Sequence, residues 1–167
     1  LAYENYRNKE TTGIDLEKVR LLKEICDNTD AKVIISSSWR GTPDYVLDCY
    51  YTLISILQAN GIRVFGNIPY LTSRNPDRRQ SFTLAELEMM EEEEGIGTAA
   101  EIQEWLKRHP EVSNFIILDD FDFQWKKYGY ETHWIQPTWF DNGGLQREHV
   151  EQAIRLLNGG DTDEIFH

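Results

Sequence analysis

The sequence is short of basic side chains. It has 17 Lys and Arg against 29 Asp and Glu, which gives a net charge of −12. A protein that binds nucleic acid through its own surface needs a patch of positive charge to neutralise the phosphates. We therefore expect no direct nucleic-acid binding. A small phosphorylated ligand held through a metal ion remains compatible with this charge.

Cysteines and long hydrophobic runs are also scarce. No stretch approaches the ~18 consecutive apolar residues of a membrane span, and no signal peptide is visible. The two cysteines, Cys26 and Cys49, fall on predicted apolar helix faces, which is typical of buried free thiols in a reducing compartment. We expect a cytoplasmic protein that does not contact membranes. The sequence does not indicate an oligomeric state.

The apolar pattern predicts strands that alternate with helices. The predicted strands are 32–35, 62–65, 114–118 and 132–136, and the first and last helices are 16–27 and 147–158. This alternation is typical of a three-layer α/β/α sandwich around a mostly parallel sheet. We predict a single domain over residues 1–167 with a core at 14–158. The irregular segment 66–97 is predicted to be an insert or a mobile loop over the site.

Polar side chains follow two of the predicted strands. Ser36 begins a run of three serines, and Asp119 and Asp120 follow the strand at 114–118. Ligands of open α/β sheets bind outside the carboxyl ends of the strands. Adjacent carboxylates repel unless a cation joins them, and Mg²⁺ prefers such hard oxygen ligands together with waters and phosphates. The structural alternatives are a polar turn for the serines and a helix cap or turn for the acidic pair.

Four segments resemble the haloacid dehalogenase (HAD) superfamily, and most closely its small branch found alone or joined to RNA-repair modules. They are 32–40 (KVIISSSWR), 101–106 (EIQEWL), 115–120 (FIILDD) and 144–154 (GLQREHVEQAI). The resemblance covers roughly residues 14–158. It implies an HAD-like, Rossmann-like fold and a Mg²⁺-dependent phosphohydrolase that acts on a small phosphomonoester substrate.

The resemblance also implies roles for individual residues. The family forms an aspartyl-phosphate on an Asp-x-Asp motif that follows a first central strand. By matching position, Ser36 holds the phosphoryl group, Ser37 lies beside it as a substrate-binding residue, and Asp119 and Asp120 bind Mg²⁺. Arg40 matches the family's Ser-Ser-Trp-Arg and is a second substrate-binding candidate, with a structural salt bridge as the alternative.

The chain departs from the family pattern in two motifs. No apolar strand leads into an Asp-x-Asp near the start of the sequence, so the nucleophile Asp is not in the chain and the fold is expected to lack its first central strand. The resemblance implies that this strand lies between the strands that carry Ser36 and Asp119. The family branch usually has an Arg shortly before its Glu-Ile helix, where this chain has Thr98 in a predicted capping box. The sequence does not show whether Arg74, Arg78, Arg79 or none of them serves as the third-motif basic residue. Asp-x-Asp sequences at 120–122 and 161–163 are weaker candidates, because the first lacks the family's continuation and the second follows no strand.

Three functional hypotheses follow. The first is an N-terminally truncated phosphatase, inactive in this form, and it is motivated by a first residue that is Leu rather than Met. The second is a degenerate, non-catalytic HAD module that serves as a binding or interaction domain. The third, a phosphatase acting on nucleic-acid ends, rests on the family association, and the acidic charge counts against it.

Overall fold

The computed structural model describes residues 14–36, 47–68, 98–138 and 143–160, with the backbone alone at 47–49. Helices and strands alternate along the chain, as the sequence predicts. The elements are α1 (Leu16–Thr29), β1 (Val33–Ile35), α2 (Leu47–Ala59), β2 (Val64–Asn67), α3 (Thr98–Arg108), β3 (Ile117–Leu118), two 3₁₀ turns (Trp125–Tyr128 and Glu131–His133), β4 (Trp134–Ile135) and α4 (Arg147–Leu157). None of the helices within these ranges is both long and apolar enough to cross a membrane.

Helix α1 begins and ends where its sequence dictates. The Asp15 carboxylate accepts a hydrogen bond from the Glu17 backbone N–H at 2.8 Å and so satisfies one of the free donors at the helix start. The buried side chains are spaced by three or four residues and form one face: Val19, Leu22, Ile25 and Cys26. Asp30 adopts a left-handed conformation with φ of 57° and ends the helix. The helix is two residues longer than predicted.

The strands form two separate parallel pairs. Strand β1 pairs with β2, and β3 pairs with β4. In the first pair the Val33 N–H donates to the Arg63 carbonyl at 2.9 Å, and in the second the Asp119 N–H donates to the Ile135 carbonyl at 3.3 Å. The predicted parallel strand arrangement is therefore present. Direct pairing of β1 with β3 does not occur.

The strand ends differ from those predicted: β1 begins one residue later, β2 is shifted by two residues from 62–65 to Val64–Asn67, and β3 and β4 are much shorter. Residues 114–116 do not pair as a strand, and the Asn114 side chain donates to the carbonyls of Leu156 and Leu157 at the end of α4. The Phe115 carbonyl lies 2.8 Å from Nδ1 of His133, whose ring stacks on the Phe115 ring. His133 belongs to a 3₁₀ turn, so the strand predicted at 132–136 is reduced to Trp134–Ile135.

The two strand pairs share the same two apolar layers. One layer contains Val33 and Ile35 of β1 together with Ile116 and Leu118 next to and within β3, packed with helices α1, α2 and α4. The other layer contains Ile34 and Ile117, packed with α3 and the aromatic residues of 123–134. Side chains of a strand alternate between faces, so this division places both strand pairs in one middle layer. The α/β/α sandwich is confirmed.

We call the slot the part of a cleft that is lined by both β1 and β3, two strands that do not pair with each other. Val33 and Ile35 use their backbone groups to bond β2, and Asp119 bonds β4. Backbone groups alternate between the two edges of a strand, so those of Ile34 and Leu118 face the slot. No strand within the described ranges pairs with either edge. The slot lies where the family resemblance puts the first central strand.

Candidate active site at the carboxyl edge of the strands

The structure brings Ser36 and the acidic pair to one cleft. Ser36 directly follows β1, and Asp119 directly follows β3. Ile34 and Ile117 face α3. Ser36 lies two residues after Ile34, and Asp119 lies two residues after Ile117, so both continue the strand positions on that face. The described residues around the slot line one continuous cleft of about 1630 Å³ that includes Ser36, Asp119 and Asp120. The predicted convergence of the two motifs is thus present in the fold.

The carboxyl group of Asp119 is largely buried and has a raised pKa. The pKa of this carboxyl group is raised from 3.8 to about 6, chiefly by burial and in smaller part by the negative charge of Asp120. The Phe121 backbone N–H donates to Asp119 Oδ1 at 2.9 Å and acts in the opposite direction. A cation at this carboxylate would offset the cost of burying the charge.

Residues 119–121 form an acidic loop whose three carbonyls are all held by side chains. Trp134 Nε1 donates to the Asp119 carbonyl at 2.8 Å. Gln136 Nε2 donates to the Asp120 carbonyl at 3.0 Å, and Trp125 Nε1 donates to the Phe121 carbonyl at 3.0 Å. These three donors were not identified from the sequence. The sequence shows only that Trp and Gln side chains, which can donate hydrogen bonds, lie within 17 residues of the acidic pair.

Asp122 has a structural role in the described fold. Its Oδ1 accepts from the backbone N–H of Gln124 at 2.8 Å and of Trp125 at 3.2 Å, and so caps the 3₁₀ turn that follows. An Asp-x-Asp nucleophile motif would need its carboxylates at the phosphoryl group. The cap therefore favours the structural interpretation of the sequence at 120–122.

Helix α3 begins at the same cleft. Thr98 is the first residue of α3, and both Thr98 and Ile102 line the cleft with Asp119. Thr98 was predicted as a capping residue, and the structure includes it in the first turn, a difference within the usual uncertainty of helix ends. A helix N-terminus carries partial positive charge, which is compatible with an anionic group in this cleft.

The acidic pair can contribute to a metal site but does not complete one. Within the described ranges, no group of three or more His, Cys, Asp or Glu side chains is placed to hold a metal ion. The ion pairs found in those ranges use other acids, namely Asp27, Asp30, Glu104 and Glu24. Mg²⁺ is often held by one or two carboxylates plus waters and substrate phosphates. Asp119 and Asp120 fit that pattern. A bound cation would stabilise the charged form of the buried Asp119 carboxylate.

Several predicted site residues lie outside the described ranges. These are Ser37, Arg40, the three arginines of the segment 66–97 (Arg74, Arg78 and Arg79) and the Asp-x-Asp at 161–163. Their roles stay predictions.

Comparison with known families identifies the domain. Residues 2–150 match the family described as the HAD domain in Swiss Army Knife RNA repair proteins. The chain belongs to this family. The match spans most of the 167 residues and confirms the resemblance carried by the four sequence segments.

The family match agrees with the architecture seen in this HAD domain. Short parallel strands, helices on both sides and polar groups at the carboxyl edge are the features expected of an HAD-like, Rossmann-type fold. No curated protein and no solved structure matches the chain significantly. The reaction must therefore be argued from the site itself.

Proposed function

We propose that this HAD domain is the main part of a Mg²⁺-dependent phosphohydrolase that acts on a small phosphomonoester. In this proposal the nucleophilic Asp enters on a strand that is not part of residues 1–167 and that occupies the slot. Asp119 and Asp120 hold the Mg²⁺, and Ser36 positions the phosphoryl group. The assignment of a small substrate rests on the net charge of −12, which disfavours a polymer of phosphates.

The observation that carries the proposal is the position of the slot relative to the polar groups. Ser36 and Asp119 extend β1 and β3, the two strands that border the slot. A third parallel strand between β1 and β3 would end at the same edge, between the hydroxyl and the acidic pair. A carboxylate at its end would face a phosphoryl group held by Ser36.

The site residues present in the chain each contribute one part of the proposed chemistry. The Ser36 hydroxyl donates a hydrogen bond to a phosphoryl oxygen as charge develops there. Bound Mg²⁺ supplies neutralisation of phosphoryl charge. None of these contributions forms the covalent bond, which needs the missing carboxylate.

The described histidines do not line the cleft that contains Ser36 and so do not offer it a general base. Nδ1 of His109 lies 2.8 Å from the Trp105 carbonyl, and Nδ1 of His133 is similarly engaged with Phe115. Nδ1 of His149 accepts from the Gln146 backbone N–H at 3.0 Å as part of the capping box of α4. Activation of Ser36 as a nucleophile would require such a base.

The second candidate is a non-catalytic HAD module that binds a ligand or partner. The absence of an Asp-x-Asp motif after a strand at the start of the sequence favours it. In that case the segment 66–97, which we propose as an insert over the cleft, would contact the ligand.

We also assign the protein to the cytoplasm, where the buried, free Cys26 thiol would stay reduced.

Activity measurements separate the two candidates. Residues 1–167 alone should show no significant turnover of a generic phosphomonoester with Mg²⁺. A longer chain with an upstream strand ending in Asp-x-Asp should show turnover, and Asp119→Asn or Asp120→Asn in that chain should abolish it. Asp122→Asn is the matched control, since Asp122 caps a turn.

Two outcomes would contradict the phosphohydrolase assignment. An extended chain that contains the upstream strand, folds and yet remains inactive on all phosphomonoesters would favour the binding module. Robust turnover by residues 1–167, with an acyl-phosphate trapped on Asp120, would place the nucleophile at 120–122 instead.

A further inference from the structure

Phe121 is an exposed aromatic side chain beside the acidic pair. Its side chain is 58% exposed, and it lines the same cleft as Ser36 and Asp119. A single exposed apolar side chain is normal on a protein surface. Phe121 differs in two respects: hydrogen bonds fix its backbone, and it lies beside the acidic pair in the cleft.

The backbone of Phe121 is fixed on both sides. Its N–H donates to Asp119 Oδ1 at 2.9 Å, and its carbonyl accepts from Trp125 Nε1 at 3.0 Å. The Phe121 ring meets the Phe123 ring edge to face, with centroids 4.9 Å apart. Phe123 in turn contacts Trp125, which is fully buried. An exposed ring is therefore held in a fixed relation to the acidic pair.

The other exposed phenylalanine of the cleft is arranged differently. Phe65 is 62% exposed and lines the cleft from β2. The Lys32 ammonium lies over its ring, 4.5 Å from the centroid, and already occupies one face through a cation–π contact. Phe65 therefore supplies a matched comparison for Phe121.

We propose that Phe121 stacks on the leaving group of the substrate, so that the site takes phosphomonoesters whose alcohol portion bears a flat aromatic ring. Nucleoside monophosphates and aryl phosphates share this chemistry. The inference rests on the proposed function, because it assumes that the phosphate is held at Ser36 and the acidic pair. Phe121 acts as a specificity-determining residue and takes no part in bond breaking.

The charge of the chain supports contact of this kind. With a net charge of −12, the surface repels anionic substrates, and electrostatic attraction cannot supply selectivity for the leaving group. Stacking of a base on an aromatic side chain does not depend on charge and is tolerant of base identity. Phe121 is two residues from Asp119, so a ring attached to a bound phosphate is within reach.

The test compares four ligands on residues 1–167 with Mg²⁺ present, using protein NMR to measure millimolar dissociation constants. They are a nucleoside 5′-monophosphate, phenyl phosphate, glycerol phosphate and the unphosphorylated nucleoside. The variants are Phe121→Leu, Phe121→Tyr and the control Phe65→Leu. We expect both aromatic phosphates to bind about fivefold or more tighter than glycerol phosphate, as typical stacking energies imply.

The variants should divide according to the ring at position 121. Phe121→Leu should remove the aromatic preference and leave glycerol phosphate binding unchanged. Phe121→Tyr and Phe65→Leu should keep the preference. Preference for the nucleotide over phenyl phosphate would identify a nucleobase as the leaving-group ring, and equal binding would identify any aryl group.

The outcomes separate this inference from the proposed function. Equal binding of all phosphates, or an aromatic preference that persists in Phe121→Leu, overturns the stacking role and leaves the phosphate site standing. Binding of the nucleoside with no added affinity from its phosphate overturns the phosphate site and leaves the stacking role. Absence of binding by all four ligands overturns the stacking role, while the proposed function is judged separately by turnover of the extended chain.

Discussion

Replacing Asp119 by Asn should stabilise the chain at neutral pH. Burial raises the pKa of the Asp119 carboxyl group to about 6, against 3.8 for an unperturbed carboxyl. The folded chain therefore binds this proton more tightly than the unfolded chain does. The stability contributed by protonated Asp119 is complete below pH 4, declines as the pH rises, and is lost above pH 6.

The size of the effect follows from the pKa difference. A shift of about two pH units corresponds to about 3 kcal/mol of unfolding free energy. Asparagine keeps an oxygen that can accept the Phe121 N–H but carries no charge. We expect Asp119→Asn to exceed the wild-type unfolding free energy by about 2–3 kcal/mol at pH 7.5 and to match it at pH 3.5.

Urea unfolding at pH 3.5, 5 and 7.5 without Mg²⁺ measures this difference. Asp120→Asn is the control, because Asp120 is exposed and its replacement should change stability by less than about 0.5 kcal/mol. The slope of unfolding free energy against urea should stay the same in all three proteins. An Asp119→Asn variant that is less stable than wild type at pH 7.5, or a difference that does not vary with pH, would refute the reasoning.

Three further predictions concern the metal, the acidic loop and helix α4. Residues 1–167 should bind Mg²⁺ only in the millimolar range by titration calorimetry, since the third carboxylate is missing; micromolar binding that is lost in Asp119→Asn would contradict this. Trp134→Phe removes the donor to the Asp119 carbonyl and should lower the unfolding free energy by about 1–2 kcal/mol in chemical denaturation; no loss would show that this bond is unimportant. Asn114→Ala should cost about 1 kcal/mol because it removes two hydrogen bonds to helix-end carbonyls, whereas Asn28→Ala, which removes a single bond within α1, should cost less.

The layer architecture was predictable because the sequence has strong local signals. Apolar residues at the spacing of one helix face define α1, and a β-branched run defines β1. Such patterns report which surface is buried, and burial against a sheet leaves few arrangements of alternating strands and helices. The positions of Ser36 and Asp119 at the carboxyl edge follow from the same argument.

The ends of the later strands were not predictable from local pattern. The run at 115–118 is continuous in apolar character, yet the Phe115 carbonyl contacts His133, and the Asn114 side chain before it bonds the end of α4. These partners are 18 or more residues away in sequence. Side-chain hydrogen bonds to distant backbone groups leave no trace in hydrophobic periodicity.

The support of the acidic loop was missed for the same reason. Trp134 and Gln136 lie in a predicted strand, where Trp would ordinarily be assigned to the core. Their donors reach the carbonyls of residues 119 and 120, a contact set by the parallel pairing of β3 with β4. The register of that pairing was needed to find it.

The central claim is that a strand carrying the nucleophile completes this HAD domain by filling the slot between β1 and β3. Hydrogen exchange at the Ile34 and Leu118 amides tests it most directly, with the Val33 and Asp119 amides as internal controls, since these already bond β2 and β4. In a chain extended by an upstream Asp-x-Asp strand, we predict that exchange at Ile34 and Leu118 slows by at least about tenfold relative to residues 1–167, and that phosphatase turnover appears with it. Unchanged exchange at both amides in an active extended chain would contradict the claim.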